Sequence, residues 1–272
     1  MIFPAYPLLH LNRSNQEGAA MDFGLKDQIV LVTGSSSGIG RAAAVAYAAE
    51  GAKVAVTYHS SRDGAQETAR QVEAAGGESL ITPFDLADPD SIHAVIASIK
   101  DQWGALHVLV NNAVGDNVAP TRGVLFEDVP LEQWQAVINR ALEGTYLTIQ
   151  AALPLMRASG WGRIVNVSSD GAIRGVPGLA PYSSAKAGLS GLTITLAAEL
   201  GPVNILTNIV MPGFVGTESN LQIQQNYLDM IQKGTPSGHL ITPQDVARLI
   251  VFLGSKANAN VNGQTVLISG GR

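Results

Sequence analysis

Short apolar runs alternate with longer amphipathic segments along almost the whole of this 272-residue chain, and few folds accommodate such a pattern. The predicted strands occupy residues 29–33, 53–58, 79–84, 107–111, 163–168, 205–210 and 265–268. The predicted helices occupy residues 39–50, 62–75, 89–102, 131–158, 182–200 and 243–253. Most of the strands are apolar throughout, as expected for strands that are covered on both faces. The alternation therefore predicts an α/β fold, a doubly wound parallel sheet with helices on both faces.

The chain shows no internal repeat, no low-complexity linker and no break in composition. Its length alone permits one large domain or two small ones. An apolar share of 46% and a charged share of 14% suit a fold whose backbone lies between layers. We therefore expect one domain over residues 25–272. Residues 1–24, which include the small polar stretch 12–20, are expected to form a flexible extension without chemistry.

Composition argues against several classes of function. A net charge of -5 and the lack of any lysine-arginine run disfavour nucleic-acid binding. No apolar run reaches the roughly 20 residues that span a bilayer, and residues 1–11 lack the basic start of a signal peptide. We therefore expect a cytoplasmic protein that has no membrane partner. With 0 cysteines and five histidines at no close ligand spacing, we expect no disulfide, no thiolate nucleophile and no metal.

A glycine turn, residues 33–40 with the sequence TGSSSGIG, follows the first predicted strand and leads into an alanine-rich helix. Glycines allow a tight turn and a close approach of bare backbone to a ligand. The N-terminus of the helix then offers unpaired N–H groups and the positive end of a dipole, which suit a pyrophosphate. An ordinary glycine-rich connection would look similar, but the first strand-to-helix junction is where such sheets bind nucleotides. The predicted contacts are Gly34, Ser36, Ser37, Gly38, Ile39 and Gly40.

The end of the second predicted strand bears on which dinucleotide binds. A carboxylate there would hold the ribose hydroxyls of NAD. No acid occurs in the stretch from Tyr58 to Arg62. Tyr58, Ser60, Ser61 and Arg62 could instead hold a 2′-phosphate, although Arg62 could also be a solvated residue of the next helix. We therefore expect NADP(H) as the preferred cofactor and keep NAD(H) as the alternative.

Several motifs together resemble the short-chain dehydrogenase/reductase family, over residues 25–271. They are TGSSSGIG at 33–40, NNA at 111–113, Asn139, Ser169, YSSAK at 182–186 and PG at 212–213. The resemblance implies a single Rossmann-like domain with seven strands in the order 3-2-1-4-5-6-7, and a homodimer or homotetramer. It also implies cofactor contacts from Asp85, Leu86, Asn112, Ala113, Pro212, Gly213, Val215 and Thr217, besides Tyr182 and Lys186. Val114 stands where the family usually has glycine, which would narrow the pocket or shift the loop.

The same resemblance implies a catalytic set of Asn139, Ser169, Tyr182 and Lys186. Tyr182 and Lys186 are four residues apart on a predicted helix, so they share one face. A nearby ammonium and a positive nicotinamide ring would favour the phenolate, so we expect a lowered pKa for Tyr182. Ser169 would donate to the substrate oxygen, while its neighbour Ser168 would face the other way. Asn139 would hold a water that extends a proton relay through Lys186.

The expected reaction is transfer of a hydride between NADP(H) and a carbonyl or alcohol, with Tyr182 as the general acid and base. Many relatives in the family are 3-oxoacyl-carrier-protein reductases, so an acyl thioester is the first candidate substrate. A free small ketone, sugar or steroid alcohol is the alternative, because residues 187–200 carry no lysine or arginine to attract an acidic carrier protein. Apolar residues within 214–238 would cover the substrate. A non-catalytic NADP(H)-binding sensor remains the alternative from another class.

Overall fold

The computed structural model of the chain describes residues 22–114 and 123–272. Its seven strands form one parallel sheet in the order β3-β2-β1-β4-β5-β6-β7. The strands are β1 (Ile29–Val32), β2 (Lys53–Tyr58), β3 (Glu78–Pro83), β4 (Val108–Asn111), β5 (Gly162–Val167), β6 (Ile205–Pro212) and β7 (Thr265–Ile268). The order reverses between β1 and β4, which neighbour each other although β2 and β3 intervene in the chain. Reversals of this kind open a crevice at the carboxyl ends of the strands.

Helices cover both faces of this sheet. They are α1 (Gly38–Ala49), α2 (Arg62–Ala74), α3 (Pro89–Trp103), α4 (Leu131–Ile138), α5 (Gly144–Ala158), α6 (Gly171–Arg174), α7 (Ala180–Leu200), α8 (Gln225–Lys233) and α9 (Pro243–Leu253). A π-helical turn, Asn139–Glu143, joins α4 directly to α5. The single helix predicted over residues 131–158 is therefore continuous but changes its pitch in the middle.

The apolar core consists of two layers, one on each side of the sheet. Successive side chains of a strand point to opposite faces. Val30 and Val32 of β1 accordingly pack into the layer under α1 and α9. Ile29 and Leu31 of the same strand pack into the layer under α3, α5 and α7. The continuous apolar runs of the sequence thus reflect burial on both faces.

The predicted fold class, strand order and helix positions are confirmed, with boundaries that differ by at most two residues. α6 and α8 are short helices that the sequence did not predict. Residues 1–21 of the predicted extension lie outside the described residues. Phe23 already packs against the core and Leu25 is buried, so the folded part begins slightly before the predicted boundary.

Candidate active site

The glycine turn leaves no room for side chains at two of its glycines. Gly34 has a φ of +64°, which L side chains rarely adopt, and a Cβ there would lie 2.9 Å from the Cα of Ala113. A Cβ on Gly40 would lie 2.3 Å from the carbonyl oxygen of Gly34. Both positions therefore require glycine, and the turn approaches the end of β4 closely.

Hydrogen bonds from neighbouring strands hold this turn in place. The Asn112 side chain donates from Nδ2 to the carbonyl oxygens of Thr33 at 3.0 Å and Gly34 at 3.1 Å. The backbone N–H groups of Asn112 and Ala113 both donate to Thr33 Oγ1. The Gly34 N–H donates to Thr57 Oγ1 at 2.8 Å. The amide of Asn112, predicted as a cofactor contact, thus fastens β4 to the turn.

The N-terminus of α1 is arranged to receive an anion. Ser37 occupies the N-cap position, and its side chain makes no capping hydrogen bond. The backbone N–H groups of the first turn are thereby left to a ligand, and the helix dipole places positive charge there. Ser36 and Ser37 line the cleft beside this helix end. Ile39, predicted as a contact, follows them in the first turn and packs partly against the core.

A cleft of about 190 Å³ opens at the carboxyl ends of β1 to β4. It is lined by predicted residues Gly34, Ser36, Ser37, Tyr58, Ser60, Asp85, Leu86 and Ala113, and also by His59, Phe84, Val114 and Arg140. Gly38 lines a second cleft instead, on the other side of α1. The structure therefore brings together most of the side chains expected around an adenosine.

Arg62 and Ser61 are placed differently from the expectation. Arg62 is exposed in the first turn of α2, and it is not among the residues that line the cleft. Ser61 caps the same helix by accepting a hydrogen bond from the Gly64 N–H at 3.3 Å. In this structure Ser61 is the N-cap of α2 and Arg62 is the first residue of that helix.

Two side chains that the sequence reasoning missed, those of His59 and Arg140, line the same cleft. His59 Nε2 lies 3.4 Å from Asp85 Oδ2, so the pair spans the ends of β2 and β3. Arg140, in the π-helical turn, brings a guanidinium to the cleft. A single arginine within a helical segment carries no motif, so only the folded position of the π-helical turn reveals it.

The two serines after β5 face different neighbours. Ser168 is buried, and its Oγ donates to the carbonyl oxygen of Lys186 at 3.0 Å. Ser169 Oγ accepts the backbone N–H of Gly171 at 3.2 Å. The Ser169 side chain is also close enough to the Tyr182 phenol to lower its pKa. Ser169, and not Ser168, therefore shares a site with the phenol.

The environment of Tyr182 differs from the expectation in one respect. Burial raises the pKa of its phenol, the negative charge of Asp170 raises the pKa further, and only the Ser169 side chain lowers it. The expected lowering of this pKa is therefore not a property of the protein groups alone. The phenol is held in its protonated form at neutral pH.

Lys186 lies one turn after Tyr182 on α7 and is buried. Its Nζ donates to the carbonyl oxygen of Val167 at 2.8 Å. Burial lowers the pKa of its ammonium to about 8. The site thus holds a cation whose charge is already close to titration at physiological pH.

Asn139 does not join this group. Its side chain is exposed at the start of the π-helical turn. With its amide oriented so that the nitrogen faces acceptors, it donates to Gln135 O and Glu143 Oε2, both at 3.2 Å. The neighbouring Ala141 is buried instead, and Leu142 packs where Gly188 of α7 leaves room. The wider π-helical turn therefore presents Leu142 to α7. The relay through Asn139 stays a prediction.

The post-β6 segment, residues 213–223, closes the other side of the turn. The Gly213 N–H donates to Ile268 O at 2.9 Å, and Val215 forms a parallel bridge with Ile241. Thr217 Cγ2 would lie 3.3 Å from a Cβ on Gly38. Pro212, Gly213, Val215 and Thr217 therefore lie along one wall that ends beside α1. Their contacts with a cofactor stay a prediction.

Residues 22–114 and 123–272 lack two kinds of feature. No helix there is both long and apolar enough to cross a membrane. No group of three or more histidine, aspartate or glutamate side chains in this part of the chain could hold a metal ion.

Comparison with known proteins relates this arrangement to a family. The model of a family described as enoyl-(acyl carrier protein) reductase matches residues 34–272. A 3-oxoacyl-(acyl-carrier-protein) reductase of Synechocystis is 38% identical over 91% of this chain and 97% of its own length. Nodulation protein G of Azospirillum brasilense is 34% identical over 91% of this chain and 98% of its own.

A solved structure gives the same relationship. A Sinorhizobium meliloti protein assigned as a short-chain alcohol dehydrogenase superposes with a TM-score of 0.84. It is 32% identical to this chain and covers 92% of it and 98% of its own chain. The sequence and the backbone of this chain therefore both agree with those of that protein over nearly their whole length.

Proposed function

This chain belongs to the short-chain dehydrogenase/reductase family and is an NAD(P)-dependent oxidoreductase; on that premise we propose that it reduces a 3-oxoacyl thioester with NADPH. The observation that carries the proposal is the placement of Ser169 beside Tyr182 at the carboxyl end of the sheet, where Ser169 lowers the pKa of the phenol, with buried Lys186 one turn further along α7. A hydroxyl, a phenol and an ammonium together suit proton transfer to a carbonyl oxygen.

The residues fit a dinucleotide. The close approaches at Gly34 and Gly40 keep the turn tight, and the uncapped N-terminus of α1 supplies donors for phosphates. The cleft between Tyr58, Asp85 and Leu86 receives the adenosine. Pro212, Gly213, Val215 and Thr217 border the nicotinamide end, and Lys186 binds its ribose.

The mechanism assigns one task to each catalytic side chain. When bound, a reduced nicotinamide would supply the hydride that the carbonyl carbon accepts. Ser169 and Tyr182 donate hydrogen bonds to the carbonyl oxygen and stabilise its growing negative charge. Tyr182 then gives its proton to that oxygen, and its raised pKa keeps this proton available at neutral pH. Lys186 does not lower the pKa of this phenol in the protein alone, so its task is to hold the nicotinamide ribose. Oxidation of the alcohol runs through the same groups in reverse.

The preference for NADP(H) rests on the end of β2. Tyr58, His59 and Ser60 at the end of β2 include two hydroxyls and no carboxylate, while Asp85 enters the cleft from the end of β3. Arg140 adds positive charge to the same cleft, and Arg62 stands at the adjacent start of α2. A 2′-phosphate gains from such donors, whereas ribose hydroxyls gain from an acid at the end of the second strand, where this chain has none. NAD(H) is the weaker cofactor in this proposal.

The thioester is favoured over a free ketone because relatives from several bacteria carry the name 3-oxoacyl-(acyl-carrier-protein) reductase. Apolar side chains of the post-β6 segment and α8 suit an acyl chain. Phe214 and Tyr227 meet edge to face with 6.4 Å between ring centres, and Leu221 and Met230 are exposed nearby in the sequence. A free small ketone is the second candidate, since residues 187–200 carry no basic side chain for an acidic carrier.

We also propose a homodimer or homotetramer built on α4, α5 and α7. Leu131 is 63% exposed, Ile194 is 61% exposed and Tyr146 is 46% exposed, one on each of these helices. Exposed apolar side chains on neighbouring helices favour burial against a second copy.

The test is an activity panel with the purified full chain. NADPH oxidation is followed with an acetoacetyl thioester, a set of free ketones and sugars, and an enoyl thioester, each repeated with NADH. The proposal expects the highest kcat/KM for the acetoacetyl thioester with NADPH. Faster turnover of a free ketone would show that the substrate is a free ketone, and faster turnover with NADH would show that the cofactor is NAD(H). Binding of the cofactor without turnover would identify a sensor.

A further inference from the structure

Arg41 and Glu218 form an ion pair that joins α1 to the post-β6 segment, with 2.8 Å between Nη1 and Oε1. Building on the proposed function, we propose that Arg41 and Glu218 are positioning residues that latch this segment against the glycine turn. The latch holds the two walls of the dinucleotide site at the spacing that the cofactor needs.

Arg41 is well placed for this task because it contacts three separate elements. Its Nη2 donates to the carbonyl oxygen of Ser36 at 2.6 Å, and its Nε donates to Thr68 Oγ1 of α2 at 3.1 Å. Its side chain is only 18% exposed. The planar guanidinium therefore fixes the direction from which Glu218 must approach.

The hydrogen bond to Ser36 bears directly on phosphate binding. In a trans peptide the carbonyl oxygen and the following N–H point in opposite directions. Because Arg41 holds the oxygen of Ser36, the N–H of Ser37 points away from Arg41. Ser36 and Ser37 both line the nucleotide cleft. Arg41 thus orients a peptide at the place where the pyrophosphate is expected.

Glu218 carries the other half of the latch. It directly follows Thr217, whose methyl group packs against Gly38. The opposite side of the segment is held by the Val215–Ile241 bridge and by the Gly216 N–H, which donates to Ile241 O at 2.8 Å. The ion pair therefore connects the part of the segment next to Thr217 to the glycine turn.

The exposure of Glu218 indicates that the ion pair can open. The Glu218 side chain is 69% exposed, and the pair stands in the cleft of about 450 Å³ between α1 and α9. Exposed ion pairs contribute little to folding and are weakened by salt. The latch should therefore affect nucleotide affinity while leaving global stability unchanged.

The test compares two variants with the wild type. Glu218→Gln removes the negative charge, and Arg41→Lys keeps the positive charge but loses the planar guanidinium that donates to several partners. Arg248→Gln is the matched control, because it breaks the exposed Arg248–Asp245 pair in the same cleft. The dissociation constant of NADPH is measured by fluorescence at low salt and in high salt, together with the urea unfolding midpoint. We expect Glu218→Gln to raise the Kd about threefold at low salt. Arg41→Lys raises it at least as much, and Arg248→Gln leaves it unchanged.

The salt dependence of the Kd and the unfolding midpoint provide two further readouts. The difference between wild type and Glu218→Gln should disappear at about 1 M NaCl, where the pair is screened, and the unfolding midpoints of these two proteins should coincide. Equal Kd values for wild type and Glu218→Gln at low salt would overturn the latch, as would an equal loss in Arg248→Gln. A wild type that binds neither NADPH nor NADH would instead overturn the proposed function.

Discussion

Lys186 and Val167 are joined by a buried hydrogen bond, from Nζ to the carbonyl oxygen over 2.8 Å. Ser168 Oγ donates in the opposite direction, to the carbonyl oxygen of Lys186. These two bonds fix the first turns of α7 to the end of β5. The ammonium therefore lies in a fixed place, and its burial is what lowers its pKa to about 8.

Replacing Lys186 by methionine should stabilise the protein and inactivate it. A buried lysine whose pKa falls from 10.5 to about 8 opposes folding at neutral pH, when both states are charged. Methionine removes that cost but also the bond to Val167, so we expect a net gain on the order of 1–2 kcal/mol. Urea unfolding at pH 7 measures the gain. A large loss of stability would mean that the ammonium supports the fold.

The same lysine gives wild-type stability a dependence on alkaline pH. Between pH 8 and 10.5 the unfolded chain binds a proton that folded Lys186 has lost. The free energy of unfolding contributed by this group therefore rises with pH through that window. The Lys186→Met variant should lack this rise. Parallel unfolding curves for the two proteins from pH 8 to 10 would contradict the assignment.

Asp170→Asn should shift the pH profile of catalysis towards acid. The Asp170 carboxylate raises the pKa of Tyr182, so its removal lowers that pKa. Reduction requires the protonated phenol, and its alkaline limb should therefore move to lower pH. Arg174→Gln provides the opposite control, because Arg174 Nη1 lies 3.8 Å from Asp170 Oδ2 and offsets its charge. Shifts of both variants in the same direction would show that charge is not the cause.

His107 should make the fold sensitive to mild acid. Its Nδ1 accepts the Ile29 N–H at 3.0 Å, and burial and the charge of Lys256 lower its pKa below 6.5. Since the unfolded chain binds the proton more readily, the free energy of unfolding falls as pH drops below about 6.5. His107→Gln should flatten this dependence between pH 7.5 and 5.5, whereas His93→Gln, at an exposed position, should not. Equal slopes in all three proteins would refute the role of His107.

Gly40→Ala should disrupt the glycine turn. The new Cβ would lie 2.3 Å from Gly34 O and 2.6 Å from Asn112 Nδ2, so the backbone must shift. We expect a loss of about 1–3 kcal/mol in stability and a larger loss of NADPH affinity. Gly191→Ala in α7, where a Cβ meets nothing within 4 Å, should instead stabilise by about 0.5–1 kcal/mol. Undiminished affinity in Gly40→Ala would mean that the turn does not cradle the nucleotide.

The sequence predicts the sheet and the place of the site because both follow from local patterns. Apolar runs identify strands that are buried on both faces, and Gly34 and Gly40 identify a turn that admits no side chain. Strand order follows once the family resemblance is seen. The motifs also predict that Ser169 and Tyr182 lie near each other, because they place Ser169 at the end of a strand and Tyr182 at the start of a helix.

The features that the sequence did not predict depend on packing between distant segments. The π-helical turn Asn139–Glu143 changes which side chains face α7, so Asn139 is exposed and Ala141 is buried. The pKa of Tyr182 is set by burial and by Asp170, neither of which a motif records. Arg41 meets Glu218 across 177 positions of sequence. No local pattern could have paired them.

The most direct measurement of the central claim is single-turnover reduction by Tyr182→Phe, with NADPH affinity determined on the same protein. Loss of the phenolic proton should slow hydride transfer by about two to four orders of magnitude, while the Kd for NADPH stays within about twofold of the wild type, because the ring is preserved. Hydride transfer at the wild-type rate in this variant would contradict the assignment of Tyr182 as the acid.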